Sequence, residues 1–121
     1  DDAVLQGHRA QGEGGKDIEF KHAEWIYKIL TEIADELGYS ISTWTPTAFA
    51  TGLPMQWVGE EGRYMMRGVP CAFVSKFGMH NPYYHTMYDT PDVIDRNSLK
   101  VVGDIGAIGM WRIANAEKLP L

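Results

Sequence analysis

The sequence predicts a layered α/β domain, and three observations carry that expectation. A short apolar stretch, Ala3-Val4-Leu5, opens the chain. A strongly periodic segment runs from Asp17 to Leu37, and a second helical pattern covers Asn97 to Asn115. Between them lie two runs of strand character, Ser40 to Trp44 and Val69 to Ser75. Strand patterns separated by helical patterns belong to sheets covered by helices.

The residues up to Gly15 are polar and glycine-rich, so loop with at most the short strand Ala3-Val4-Leu5 is expected there. From Asp17, apolar residues at Ile18, Ala23, Ile26, Ile29, Leu30, Ile33, Ala34 and Leu37 recur at helical spacing. Asp17 can cap this helix and Gly38 can end it. Ser40-Ile41-Ser42-Thr43-Trp44 alternates, is rich in β-formers and stops before Pro46, which predicts a strand. Thr47 to Gly62 contains Gly52, Pro54 and Gly59 and has no clear period, a long loop of the kind often used for function. Val69 to Ser75 is an apolar run of the buried-strand type. In the last helix Gly103, Gly106 and Gly109 each lower helix propensity by up to about 1 kcal/mol. Their spacing predicts one small-residue face that lets the helix approach a sheet closely.

The composition narrows the functional classes. The chain has 121 residues, and 45% of them are hydrophobic, enough for one small domain with a core. A formal net charge of -5 and no basic stripe exclude the clustered cationic surface that nucleic acid requires. No 18-residue apolar run is present to span a membrane, and no charged-then-apolar leader stands at the start. Cys71 is the single cysteine, so no internal disulfide forms, and Pro70 and Ala72 beside it suit a buried strand thiol rather than a reactive one.

The stretch from Ser75 to Asp92 sets one histidine, His85, among aromatic and turn residues directly after a strand-like segment. Asn81-Pro82 is a turn former, so His85 is expected just past a bend at the mouth of a sheet, where ligands commonly bind. A neutral imidazole is a good zinc ligand, although a single loop histidine is also an ordinary surface side chain.

Several short words in order take this further: Gly68-Val69-Pro70-Cys71-Ala72, Ser75-Lys76-Phe77, Asn81-Pro82 and His85-Thr86-Met87-Tyr88-Asp89-Thr90. In that order they resemble the C-terminal part of the co-catalytic zinc aminopeptidases, the family of bacterial leucyl aminopeptidase, glutamate carboxypeptidase and glutaminyl cyclase. The resemblance covers about Gly68 to Ile113. It implies a three-layer α/β/α fold with a mixed, mostly parallel sheet, residues 1–121 being the C-terminal part of a catalytic domain of roughly twice this length. It further implies that His85 is the last zinc ligand and Asp89 its orienting carboxylate, since a metal-bound imidazole usually donates its other N–H to such a group. An Asp before Thr90-Pro91 also serves as a simple turn cap.

By the same resemblance an aspartate near the chain start coordinates zinc, which points to Asp2, with Asp1 behind it. The methionine that usually follows is replaced here, and two aspartates in this place also read as a solvated chain end. Phe73, Phe77, His80 and Tyr84 would wall an apolar substrate pocket, or else pack as ordinary loop aromatics. Glu60 and Glu61 stand where the family carries Ser-Asp-His, and read as positioning or solvated groups. The loop tyrosine that can help hold an oxyanion has no counterpart; Gln56 and Trp57 occupy its neighbourhood.

The chemistry implied is hydrolysis of N-terminal residues from a peptide substrate. One or two zinc ions lower the pKa of a shared water, and a glutamate carries its proton to the leaving amine. Such a site needs about five ligands plus the base, and this chain can offer His85 and Asp2. Alone it is expected to be inactive, its remaining ligands coming from the N-terminal half of the domain or a companion chain. The family resemblance favours a secreted or periplasmic setting. Other readings in keeping with it are a shell-forming aminopeptidase, a non-catalytic binding or dimerisation domain of the same fold, and a glutaminyl-cyclase-type enzyme with a single zinc.

Overall fold

Ala3-Val4-Leu5 does form a strand, and the main sheet is built around it. The structure, a computed structural model, describes residues 3–6, 9–11, 17–43, 63–65, 67–75 and 82–121. Strand β1 (Ala3–Gln6) lies between β4 (Ile41–Thr43) and β5 (Phe73–Ser75). It pairs in parallel with β4, Ala3 opposite Ile41 and Leu5 opposite Thr43. It pairs antiparallel with β5, Leu5 opposite Val74 and Gln6 opposite Phe73. The sheet is therefore mixed. Alternate residues of a strand share a face, so Ala3 and Leu5 point the same way, and both are buried.

What they meet are the two helices. Helix α1 (Glu24–Leu37) contributes Leu30 and Ala34, and helix α2 (Arg96–Asn115) contributes Val101 and Ile105, to one core cluster with Ala3 and Leu5. Both helices thus cover the same face of the sheet. Leu5, Ile33 and Ile105 are the largest fully buried side chains, and burying each contributes about 1.5–3 kcal/mol. A smaller cluster joins Ala23 to Met65, with Phe20 and the half-buried Cys71 packed against it.

Two elements differ from expectation. Residues 17–19 are not helix: Asp17–Glu19 is strand β3, paired antiparallel with β2 (Arg9–Gln11), and a 3-10 turn over Lys21–Ala23 leads into α1. The helix start expected at Asp17 therefore lies further on: α1 begins after Ala23, with no side-chain cap. The expected strand from Val69 is shorter. Gly68 has φ of 81°, the Val69 N–H donates to the Tyr64 carbonyl and the Gly68 N–H to that of Met65, which closes a Schellman motif after the helical turn at 63–65. Val69 is spent on that closure, and ladder pairing begins only at Phe73.

The glycines of α2 divide. A Cβ built on Gly109 falls 2.6 Å from Leu30 Cδ2, whereas at Gly103 and Gly106 it meets nothing within 4 Å. The close approach is made by one glycine, and to helix α1 rather than to the sheet.

The end of α1 follows the sequence. Gly38 adopts φ of 72°, its N–H donates to the Asp35 carbonyl and the Tyr39 N–H to that of Ala34. The helix thereby delivers Tyr39 to α2. The Tyr39 hydroxyl donates to Asp104 Oδ2 at 2.5 Å and accepts from Lys100 Nζ at 3.0 Å, and Lys100 also bonds Asp104. Lower down, Arg112 makes a two-pronged ion pair with Glu36, Nη1 to Oε1 at 3.3 Å and Nη2 to Oε2.

These clasps set an acid response. The Lys100 hydrogen bond, then that of Tyr39, holds the Asp104 carboxyl below its ordinary value, and Arg112 does the same for Glu36. A carboxylate depressed in the folded state stabilises the fold above the ordinary carboxylate range and ceases to do so as pH falls through its folded-state pKa. The melting temperature should therefore decline from about pH 4 downward. Asp104→Asn should flatten part of that decline while leaving the fold intact; an unchanged acid slope in thermal melts would show that the clasp is too solvated to matter.

Candidate functional site

The residues singled out around His85 follow β5, and the described residues resume at Pro82. From there to Tyr88 the chain makes consecutive turns closed by its own backbone. The Thr86 N–H donates to the Tyr83 carbonyl at 2.9 Å, and the Asp89 N–H to that of Thr86 at 3.2 Å. Thr86 reinforces the first turn, its hydroxyl donating to the Tyr83 carbonyl at 2.5 Å and accepting from the Tyr88 N–H at 3.3 Å. The threonine of the His-Thr word thus has a local task, fixing the turn that carries the histidine.

His85 sits at φ of 61°, the left-handed region, and is the one non-glycine residue there among those described. An L-residue pays on the order of 1 kcal/mol or more for that conformation. Its ring lies against Tyr84, centroids 3.8 Å apart and planes inclined by 36°. The whole stretch from Pro82 to Asn97 is exposed. The imidazole is therefore presented to solvent on a hydrogen-bonded turn.

The partners expected around His85 are placed as follows. Asp89 is exposed, and no hydrogen bond joins its carboxylate to His85. Tyr84 is 61% exposed and flanks the histidine ring. Phe73 lies in β5 opposite Gln6 and is 40% exposed. Asp2, Phe77 and His80, with Glu60 and Glu61, lie outside the described residues. Among the described residues no group of three or more His, Cys, Asp or Glu comes together as a metal set. The donors in hand therefore do not by themselves fit a two-zinc centre; they provide one exposed imidazole.

Behind the turn, Asp95 anchors α2. Its carboxylate accepts from the N–H groups of Asn97 and Ser98 at 3.4 and 3.1 Å and from the Ser98 hydroxyl at 2.5 Å. Pro91 opens the 3-10 turn Pro91–Val93 leading into it. The sequence reading missed this cap, although an Asp directly before a helical pattern is its signature.

The structure also holds a cleft of about 700 Å³ that sequence reasoning did not single out, walled by Trp25, Ile29 and Pro70 and edged by Lys21, Lys28 and Glu32. His22 Nε2 and Trp25 Nε1 are shielded from solvent without a hydrogen-bond partner. Neither can meet a cleft ligand without a rearrangement, so the cleft offers apolar walls and a rim of mixed charge. His85 and Tyr84 are not part of it.

No helix among the described residues is long and apolar enough to cross a membrane. Comparison of the chain with protein-family models, with curated proteins and with solved structures returns no match.

Proposed function

We propose that the chain is the C-terminal part of a zinc-dependent aminopeptidase domain and contributes its last zinc-ligand histidine, His85. The observation that carries this reading is the ordered series of words from Gly68 to Thr90 that ends on His85-Thr86-Met87-Tyr88-Asp89-Thr90. Two features support it. His85 is held on a turn closed by Thr86, and its ring is open to solvent. A hydrogen-bonded turn fixes the backbone from which such a ligand projects.

On this reading the mixed sheet and its helix pair are part of a three-layer domain, and the second helical layer belongs to the N-terminal half or a companion chain. The same source supplies the bridging carboxylate, the general base and the other ligands. Zinc, when bound, would provide Lewis acidity and an activated water; this chain's own residues hold and aim one imidazole, with Asp2 the further candidate. Tyr84, Phe73, Phe77 and His80 form the substrate-side wall in this proposal. A glutaminyl-cyclase-type enzyme or a non-catalytic binding domain of the same fold would share the scaffold, and the missing ligand set separates them.

The test is zinc binding followed by hydrolysis. Equilibrium dialysis of the complete catalytic unit against zinc should show an affinity reduced about tenfold or more in His85→Ala. His85→Gly, which keeps the left-handed turn without strain, should lose it equally. In the complete catalytic unit either variant should abolish release of p-nitroaniline from leucine p-nitroanilide. Zinc affinity indifferent to both substitutions would overturn the reading.

A further inference from the structure

Helix α2 is apolar on two sides, and only one of them faces the core. Successive residues of a helix are turned by about 100°, which places the buried Val101, Ile105 and Gly109 in one sector. Leu99, Gly103, Gly106, Ala107, Met110 and Ala114 fall in another, centred about 150° away. From Leu99 to Ala114 that second sector carries no charge, and Arg96 lies at its N-terminal end. Leu99 is 61% and Met110 74% exposed, and the space beyond Gly103 and Gly106 is open.

We propose that this face of α2 is a docking surface for a second copy of the chain, the two α2 helices crossing antiparallel about a two-fold axis between Gly106 and Ala107. The pattern of residue sizes is what selects a second copy. In that register Met110 of each copy lies over Gly103 of the other, Leu99 lies over Ala114, and Gly106 meets Ala107, so every large side chain faces a small one. A two-fold interface requires such self-complementarity, because residue i meets residue j twice.

Charge agrees with size. The same axis sets Arg96, at the first turn, against Glu117, just past the last turn, at both ends of the interface. Neither is engaged in an ion pair among the described residues. Antiparallel alignment also opposes the helix dipoles favourably. Two 20-residue helices in contact along their length bury on the order of 1,000 Å², the lower limit of a specific interface. A reversible dimer is the expected strength. The inference does not depend on the zinc reading.

Sedimentation of the 121-residue chain over a concentration series tests it. A monomer–dimer equilibrium is expected, its dissociation constant raised at least about tenfold by Met110→Lys and by Gly103→Leu. Gly103→Leu guards against misfolding as the cause, because leucine favours helix over glycine and should raise the unfolding midpoint while dissolving the dimer. Arg96→Glu and Glu117→Arg should each weaken association, and the double exchange should restore it. A chain monomeric at every concentration, the face then belonging to a different partner, would overturn the proposal. So would a dimer indifferent to Met110→Lys and Gly103→Leu, or a double exchange no better than the single ones.

Discussion

Ile105→Ala is expected to lower the unfolding free energy by about 3 kcal/mol, a large fraction of the 5–15 kcal/mol that small domains possess. Ile105 is 1% exposed and packs in one cluster with Ala3 and Leu5 of the central strand and Leu30 and Ala34 of α1. It therefore joins all three elements of the core. Truncation removes three carbon atoms from a site whose walls are a sheet and a neighbouring helix, which relax only in part. Alanine's better helix propensity returns about 0.4 kcal/mol, too little to change the outcome. Denaturant titration should show a lower midpoint with an unchanged slope. Met87→Ala, at a residue 85% exposed, should stay within about 0.5 kcal/mol of the parent. A loss below about 1 kcal/mol for Ile105→Ala would mean that the core closes around the gap.

Gly109→Leu and Gly103→Leu should have opposite signs although they are the same substitution on the same helix. At Gly109 even a Cβ lies 2.6 Å from Leu30 Cδ2, and Ile33 Cδ1 is the next atom at 3.8 Å. Leu30 is itself buried, so it has little room to retreat, and the larger side chain must push α1 and α2 apart. Overpacking of this kind costs about 1–3 kcal/mol beyond what the propensity gain offsets. At Gly103 there is nothing to push, and the substitution should stabilise the monomer by up to about 1 kcal/mol. Stabilisation by both variants would show that the helices are not in contact at Gly109.

The contrast between those glycines shows where sequence reading reached its limit. A three-residue spacing turns by about 300° per step, so Gly103, Gly106 and Gly109 walk around the helix, and only Gly109 arrives at the neighbour. Sequence periodicity found the body of both helices and the stop at Gly38, because amphipathic spacing and a left-handed glycine are local properties. It extended α1 back to Asp17 because Ile18 fits the helical spacing. What makes Asp17–Glu19 a strand is its pairing with Arg9–Gln11, a non-local fact with only three residues on each side. Val69 misled for a similar reason: its apolar character suits a strand, but its N–H is committed to Tyr64.

For the candidate site, the wording around His85 was legible and its conformation was not. Histidine enters the left-handed region more often than most side chains but still rarely, and its φ of 61° accompanies the turn closed by Thr86 and Tyr83. Asp89, the carboxylate that the resemblance assigns to the imidazole, donates its backbone N–H to the Thr86 carbonyl. Asp2, Phe77 and His80 lie outside the described residues.

The central place of β1 bears on how the chain acquires its shape. Val4 meets Ser42 on one side and Ser75 on the other, so one edge of this strand waits for a segment made 71 positions later. During synthesis β1, α1 and β4 can associate early, but β5, which covers the second edge of β1, and the helix that seals the core emerge only after them. Until then the strand offers an open row of hydrogen-bonding groups, and slow or interrupted translation beyond Thr43 would lengthen the time in which a stray strand could take the place of β5.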